Sequence, residues 1–138
     1  MLDLRRNNIS GKAAARLAEK FPSSRALEVL SGLPLRSYLD NPPSTIELTE
    51  MDLRLPEAIL LRDTLARTIK MTVNHLDNFT ITSSLTELDL STNLLDEGAM
   101  AVLASLVEAH SSLTSLNLSH NQGGPHGLAH LAKMLERN

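Results

Sequence analysis

The sequence predicts one α/β domain over residues 1–138, a partial horseshoe of stacked strand–helix repeats. Parallel strands would line the inner face of the curve, and helices the outer face. Three observations predict this. A leucine motif returns after 28 residues, apolar positions at helical spacing follow most copies, and aromatic residues make up only 2% of the chain. With no Trp, and only Phe21, Phe79 and Tyr38 as rings, the core must be filled by aliphatic side chains. Leucine dominates every apolar stretch, and that bias points to internal repeats.

The clearest copies run from Leu85 to Asn93 (LTELDLSTN) and from Leu113 to Asn121 (LTSLNLSHN), offset by 28 residues. Every leucine and both asparagines match, in the pattern L-x-x-L-x-L-x-x-N. A third copy opens the chain, where Leu2-Asp3-Leu4-Arg5-Arg6-Asn7 aligns with Leu88 to Asn93. Two weaker copies are Leu27-Glu28-Val29-Leu30 and Ile46 to Leu53, the latter with Met51 in the asparagine position. Repeats therefore start near 1, 27, 43, 85 and 113. These residues resemble the leucine-rich repeat family. The period near 28 and the helical second half are similar to its ribonuclease-inhibitor-like subclass. The resemblance implies that Asn7, Asn93 and Asn121 form a ladder of side-chain hydrogen bonds at the bend after each strand.

Within a strand, alternate side chains point to opposite faces, so Leu88 and Leu90 face inward while Glu87, Asp89 and Ser91 face outward. A first helix starts at Ala13 to Leu17 and stops at Pro22. The irregular stretch 33–44 (LPLRSYLDNPPS) carries consecutive prolines and leaves no room for a helix. Pro56 and Glu57 suit the first turn of the next helix, which turns Leu61, Leu65 and Ile69 inward and Arg62, Asp63 and Arg67 to water. Residues 70–83 (KMTVNHLDNFTITS) form an insertion of about 14 residues beyond the period. It holds His75, Phe79 and Ile81, and reads either as a partner contact or as a disordered excursion. Gly98 to Ala109 and Gly127 to Leu135 are the last two helices. Leu103, Leu106 and Val107 face inward on one, and Leu128, Leu131 and Leu135 on the other. Alanines such as Ala14, Ala99 and Ala104 let neighbouring helices approach closely. Neither end shows the distinct polar cap that a repeat array needs, so a longer array or neighbouring chains would cover the ends.

Composition excludes several function classes. Zero cysteine removes disulfide scaffolds, thiolate metal sites and cysteine nucleophiles. A net charge of −3 lacks the basic footprint of a nucleic-acid binder. No apolar run approaches the roughly 18–20 residues of a membrane span. The start MLDLRRNNIS puts charge where a signal peptide needs apolar residues. A cytoplasmic location is the expectation, with organellar or ciliary placement left open.

Chemistry-bearing motifs are missing. There is no phosphate-binding GxxxxGK[ST] or GxGxxG and no GxSxG elbow. Gly123-Gly124-Pro125 reads as a strand–helix connector. His126 and His130 share a helix face near His120, but no HExxH or clear carboxylate completes a metal site. The matches to the glycosylation sequon at Asn8, Asn78 and Asn117 read as coincidence. Arg5 and Arg6 invite comparison with the similar Ran GTPase-activating proteins, which use an arginine near their first repeats, but no surrounding motif carries the role over.

The expected function is a non-catalytic protein-interaction scaffold without metal or cofactor. Its partners are other proteins, and it neither binds nucleic acid nor inserts into membranes. The expected contact strip is Asp3, Arg5, Glu47, Thr49, Glu87, Asp89, Ser91, Ser115, Asn117 and Ser119, all on outward strand positions or the bends after them. The carboxylates suit a basic partner surface. Two further readings are a structural subunit of a multi-subunit assembly, its open ends covered by neighbours, and a regulator of a GTPase or enzyme.

Overall fold

The structure, a computed structural model, describes residues 1–24, 26–73 and 79–136, with the backbone alone for 70–73 and 79–82. Strands and helices alternate along much of the chain. The helices are α1 (Gly11–Lys20), α2 (Leu35–Asp40), α3 (Leu55–Leu65), α4 (Glu97–Ala109) and α5 (Gly124–Leu135). The strands are β1 (Thr45–Glu47), β2 (Lys70–Val73), β3 (Phe79–Thr82), β4 (Glu87–Asp89) and β5 (Ser115–Asn117).

β1, β4 and β5 form a parallel sheet in that order, with Ile46, Leu88 and Leu116 in register. Ile46 pairs with a residue 42 positions on, one 28-residue period plus the 14-residue insertion. The strand ladder runs past the strand ends: Leu48 N–H donates to Asp89 C=O, and Glu50 N–H to Thr92 C=O. The first two copies meet separately, through a parallel bridge between Leu2 and Leu30. Among the described residues no bridge joins Leu30 to β1, so the row of strands is interrupted there.

Ile46, Leu48, Leu88 and Leu90 are buried beneath the helices, while Thr45, Glu47 and Glu87 lie exposed on the other face. In the helix layer α3 packs between α1 and α4, and α5 packs on α4. Helix α3 is therefore buried around most of its surface, with Ala58, Ile59, Leu60, Leu61 and Leu65 all covered. Arg62 and Asp63 on it are half-buried and paired with each other at 2.6 Å.

Three sequence expectations are corrected. The stretch 33–44 does hold a helix: Pro34 precedes α2 and Asn41 ends it before Pro42. Prolines at the flanks leave six residues free to coil, and burial of Leu35 and Tyr38 secures the turn. The described ends of the insertion are not a disordered excursion but pair as antiparallel strands, Lys70 with Thr82 and Val73 with Phe79. The expectation for His75 falls outside the described residues. On α5 the leucine stripe turns inward only in part: Leu131 packs against the core, but Leu128 is 63% and Leu135 68% exposed, whereas Gly127 and Met134 are buried.

The bends are held by asparagine. Asn93 Oδ1 accepts from the amides of Met51 and Leu53, each at 3.0 Å. Its Nδ2 donates to Leu48 C=O at 2.7 Å in the preceding copy and to Leu90 and Ser91 C=O in its own. Asn121 repeats this arrangement, bonding the Leu95 amide and the carbonyls of Leu90, Leu118 and Ser119. Asn7 bonds only its own turn, at Leu4 and Arg5 C=O. The residue before the asparagine position takes left-handed backbone in four copies: Arg6 (φ 63°), Glu50 (56°), Thr92 (54°) and His120 (55°). For a β-branched residue such as Thr92 this conformation is strained.

Two outcomes follow for stability. Asn93→Ala leaves the Met51 and Leu53 amides unpaired and should cost about 3 kcal/mol in urea unfolding, several times the cost of Asn7→Ala. Thr92→Gly should raise the unfolding free energy by about 0.5–1 kcal/mol, because release of the left-handed strain outweighs the entropy of glycine.

Candidate functional site

The site is the sheet face that the helices leave open. Registration places Thr45, Glu87 and Ser115 in one row across the strands, and Glu47, Asp89 and Asn117 in the next. Adjacent strands lie about 4.8 Å apart, so each row is continuous. Eight of the ten expected contact residues, Glu47, Thr49, Glu87, Asp89, Ser91, Ser115, Asn117 and Ser119, thereby lie on or beside β1, β4 and β5.

Asp3 and Arg5 do not join these rows, because their copy bridges Leu30 instead of β1. They engage each other: Arg5 Nη2 lies 2.6 Å from Asp3 Oδ2, and the Arg5 amide also donates to Asp3. Arg5 Nη1 reaches Met51 C=O at 3.2 Å, tying the first copy to the third. The Arg5 guanidinium and amide hold the Asp3 carboxyl down to about 2. Arg6 is paired in turn with Asp52. Both arginines beside the first bend are thus engaged by carboxylates of this chain.

Asp89 is also occupied within the chain. Its Oδ1 accepts from the Ser91 hydroxyl at 2.7 Å and the Ser91 amide at 2.9 Å, and Oδ2 accepts from Asn117 Nδ2 at 2.9 Å. These bonds hold its pKa below the usual carboxylate value. Ser91, expected as an exposed contact residue, is consequently buried against Asp89. Ser119 stays exposed, but its amide and hydroxyl both donate to Asn117 Oδ1. An acidic or amide side chain at this strand position closes the bend two residues on, which gives Asp3, Asp89 and Asn117 a structural reason to recur.

Glu47 and Glu87 are different. Among the described residues neither side chain makes a hydrogen bond or ion pair, and both are exposed. Glu47 sits in register beside Asp89, and Glu87 lies two residues before it on the same strand. Like charges on directly neighbouring strands repel. The face can present charge and hydrogen-bonding groups to a surface.

Sequence reading missed a second region. A groove of about 770 Å³ lies where α1, α3 and α4 begin, lined by residues including Arg6, Asp52, Arg54, Glu57 and Asp96. Its polar groups serve the helices. Ser10 Oγ accepts from the Ala13 amide, Asp96 Oδ1 from the Ala99 amide, and Glu57 Oε2 from the Arg54 amide. Glu57 is only 4% exposed, and burial raises its pKa. No sequence signal marks that burial, because it depends on α1 packing directly on α3. Among the described residues no group of three or more His, Asp or Glu side chains could hold a metal ion, and no helix is long and apolar enough to cross a membrane.

A family model described as "Leucine Rich repeat" matches residues 109–131, the span from the end of α4 through β5 into α5. The match supports a leucine-rich repeat protein. No curated protein and no solved structure matches the chain.

The buried carboxyl sets a pH test. Glu57 holds a proton more tightly folded than unfolded, so folding gains stability as pH falls through its raised pKa toward the ordinary value. The stability of the wild type relative to Glu57→Gln should therefore be greatest below the ordinary carboxylate pKa and decline as pH rises to 7, measured by urea unfolding at stepped pH.

Proposed function

We propose that the chain is a non-catalytic protein-interaction module: a partial horseshoe of ribonuclease-inhibitor-like repeats that binds a partner protein on its concave sheet face. The observation that carries this reading is the pair Glu47 and Glu87. Both are exposed and without a partner among the described residues, and they flank Asp89, whose own bonds favour its ionised form. The core does not need either glutamate. A face that carries unbalanced negative charge gains most from a partner presenting lysine or arginine.

The repeat match supports the same reading, because leucine-rich repeats commonly serve as interaction surfaces. In this account the contact residues are Thr45, Glu47, Thr49, Glu87, Ser115 and Asn117. Ser91 and Asp3 act in the bends, and Arg5 fastens the first copy to the third. No cofactor or metal is required, and a cytoplasmic setting suits a cysteine-free chain.

The test is charge reversal with binding as the readout. Glu47→Lys together with Glu87→Lys should weaken binding to proteins that co-purify with the chain by at least tenfold, and raised salt should weaken wild-type binding in the same direction. Reversal of Lys12 and Arg16 on the outer side of α1 should leave it unchanged. If every partner bound the Glu47/Glu87 variant as tightly as the wild type, the concave-face reading would be wrong.

A further inference from the structure

The bend asparagines show, by position, what each copy offers to the copy that follows it. Asn93 accepts from the amides of Met51 and Leu53 in the third copy, and Asn121 from the amide of Leu95 in the fourth. Each asparagine also donates to one carbonyl there, Leu48 or Leu90. The residue after the asparagine adds a backbone rung: the Leu94 amide donates to Leu53 C=O, and the Gln122 amide to Leu95 C=O. The first copy carries the same groups, since Leu4, Asn7 and Ile9 stand where Leu90, Asn93 and Leu95 stand in the fourth. Its followers cannot meet them. Leu35 takes the asparagine position in the second copy, where it opens α2 and is fully buried, and Met51 takes it in the third. Among the described residues the Asn7 amide, the Ile9 amide and the Ile9 carbonyl make no hydrogen bond. Leu4 C=O accepts only from Asn7 of its own turn.

These residues line the groove of about 770 Å³ at the start of α1, α3 and α4. The first copy supplies one wall, with Leu4 and the stretch 6–11. The third and fourth copies supply the other, with Asp52, the stretch 54–57, Leu94 and Asp96. The second copy contributes none of these lining residues. The groove thus takes the place of the second copy's bend, and it lies between copies, away from both ends of the array.

From this we infer that the groove receives a loop of a partner protein through an asparagine of that loop. The asparagine oxygen accepts from the Asn7 and Ile9 amides, and its nitrogen donates to Leu4 C=O. The backbone amide of the residue after it donates to Ile9 C=O. Asn93 and Asn121 make these same contacts within the chain, so the occupant's chemistry is read from its neighbours. A side-chain amide both accepts and donates, whereas a carboxylate only accepts and a lysine only donates. Half-buried Leu4, Ile9 and Leu55 offer apolar surface to the rest of the loop. Main-chain hydrogen bonds then supply affinity, and the asparagine supplies specificity. The inference does not rest on the partner proposed for the sheet face, since Glu47 and Glu87 do not line the groove.

The probe is a synthetic peptide of residues 88–98 (LDLSTNLLDEG), the stretch that carries Asn93 onto the third copy. It is titrated to millimolar concentration into the isotope-labelled 138-residue chain and followed by NMR. Saturable shifts should centre on the amides of Asn7 and Ile9, and the hydrogen exchange of both should slow. A peptide with Asn93→Ala should bind about tenfold more weakly, through the lost hydrogen bonds. A peptide with Asn93→Asp should also bind more weakly, because it cannot donate to Leu4 C=O. The protein variant Glu47→Lys/Glu87→Lys should bind the parent peptide as the wild type does, which keeps this result separate from the sheet-face reading. Absence of a saturable shift at Asn7 and Ile9 overturns the inference, as does an Asn93→Ala or Asn93→Asp peptide that binds as tightly as the parent. So do Asn7 and Ile9 amides that, in the free chain, already exchange as slowly as those of Met51 and Leu53.

Discussion

The repeat array depends on one side-chain amide placed at a bend. A chain that leaves a strand and turns toward a helix exposes several backbone amides and carbonyls in quick succession. Burying them unpaired costs about 1–3 kcal/mol each. Asn93 meets five of them with one side chain, three from its own copy or its neighbour's carbonyls and two from its neighbour's amides. Because the same side chain touches two copies, it fixes the local bend and the stacking of repeats together. A residue with only a donor or only an acceptor could not do both. The strained backbone immediately before it is the counterpart: the chain turns sharply there because the amide holds both sides of the turn.

The irregular second copy shows what happens where that device is missing. The second copy has Leu35 where the bend asparagine would stand, and among the described residues no strand pairing joins it to β1. The first copy is instead held to the third by charge and packing: Arg6 with Asp52, Arg5 on Met51 C=O, and α1 against α3. Arg36 secures the displaced loop. It donates to Ser24 C=O at 2.6 Å and stacks 5.2 Å from the Phe21 ring centroid. Exposed ion pairs contribute little by themselves, so the helix contact is the stronger of these links.

Much of the architecture was legible in the leucines. Their period placed β1, β4 and β5, and their helical spacing placed α3, α4 and α5, because burial of those side chains is what the fold requires. The misses share a cause. The stripe Leu128–Leu131–Leu135 reads as a buried face in any sequence, and only the presence or absence of a neighbour decides whether it is covered. The three prolines in the stretch 33–44 argued against a helix, yet Pro34 and the pair Pro42–Pro43 bound α2 without entering it. On the sheet face, alternation correctly sent Glu47, Glu87 and Asp89 outward. It could not distinguish Asp89, which closes its own bend, from the two glutamates whose side chains have no partner among the described residues. Ser91 is covered for the same local reason, through two hydrogen bonds to Asp89 too short in range for periodicity to report.

The skipped register has a consequence for the time course of synthesis. Copies that stack on their nearest neighbour find their partner residues one period later. The first copy must wait longer, since Arg6 and Asp52 are 46 residues apart and α1 rests on α3, which ends at Leu65. At about 5–20 residues per second, the ribosome needs several seconds to supply the missing helix. During that interval Ala14, Ala18 and Phe21, all buried in the finished molecule, stand open to solvent and to chaperones. The last two copies, joined by adjacent strands and helices, can close almost as soon as they are made.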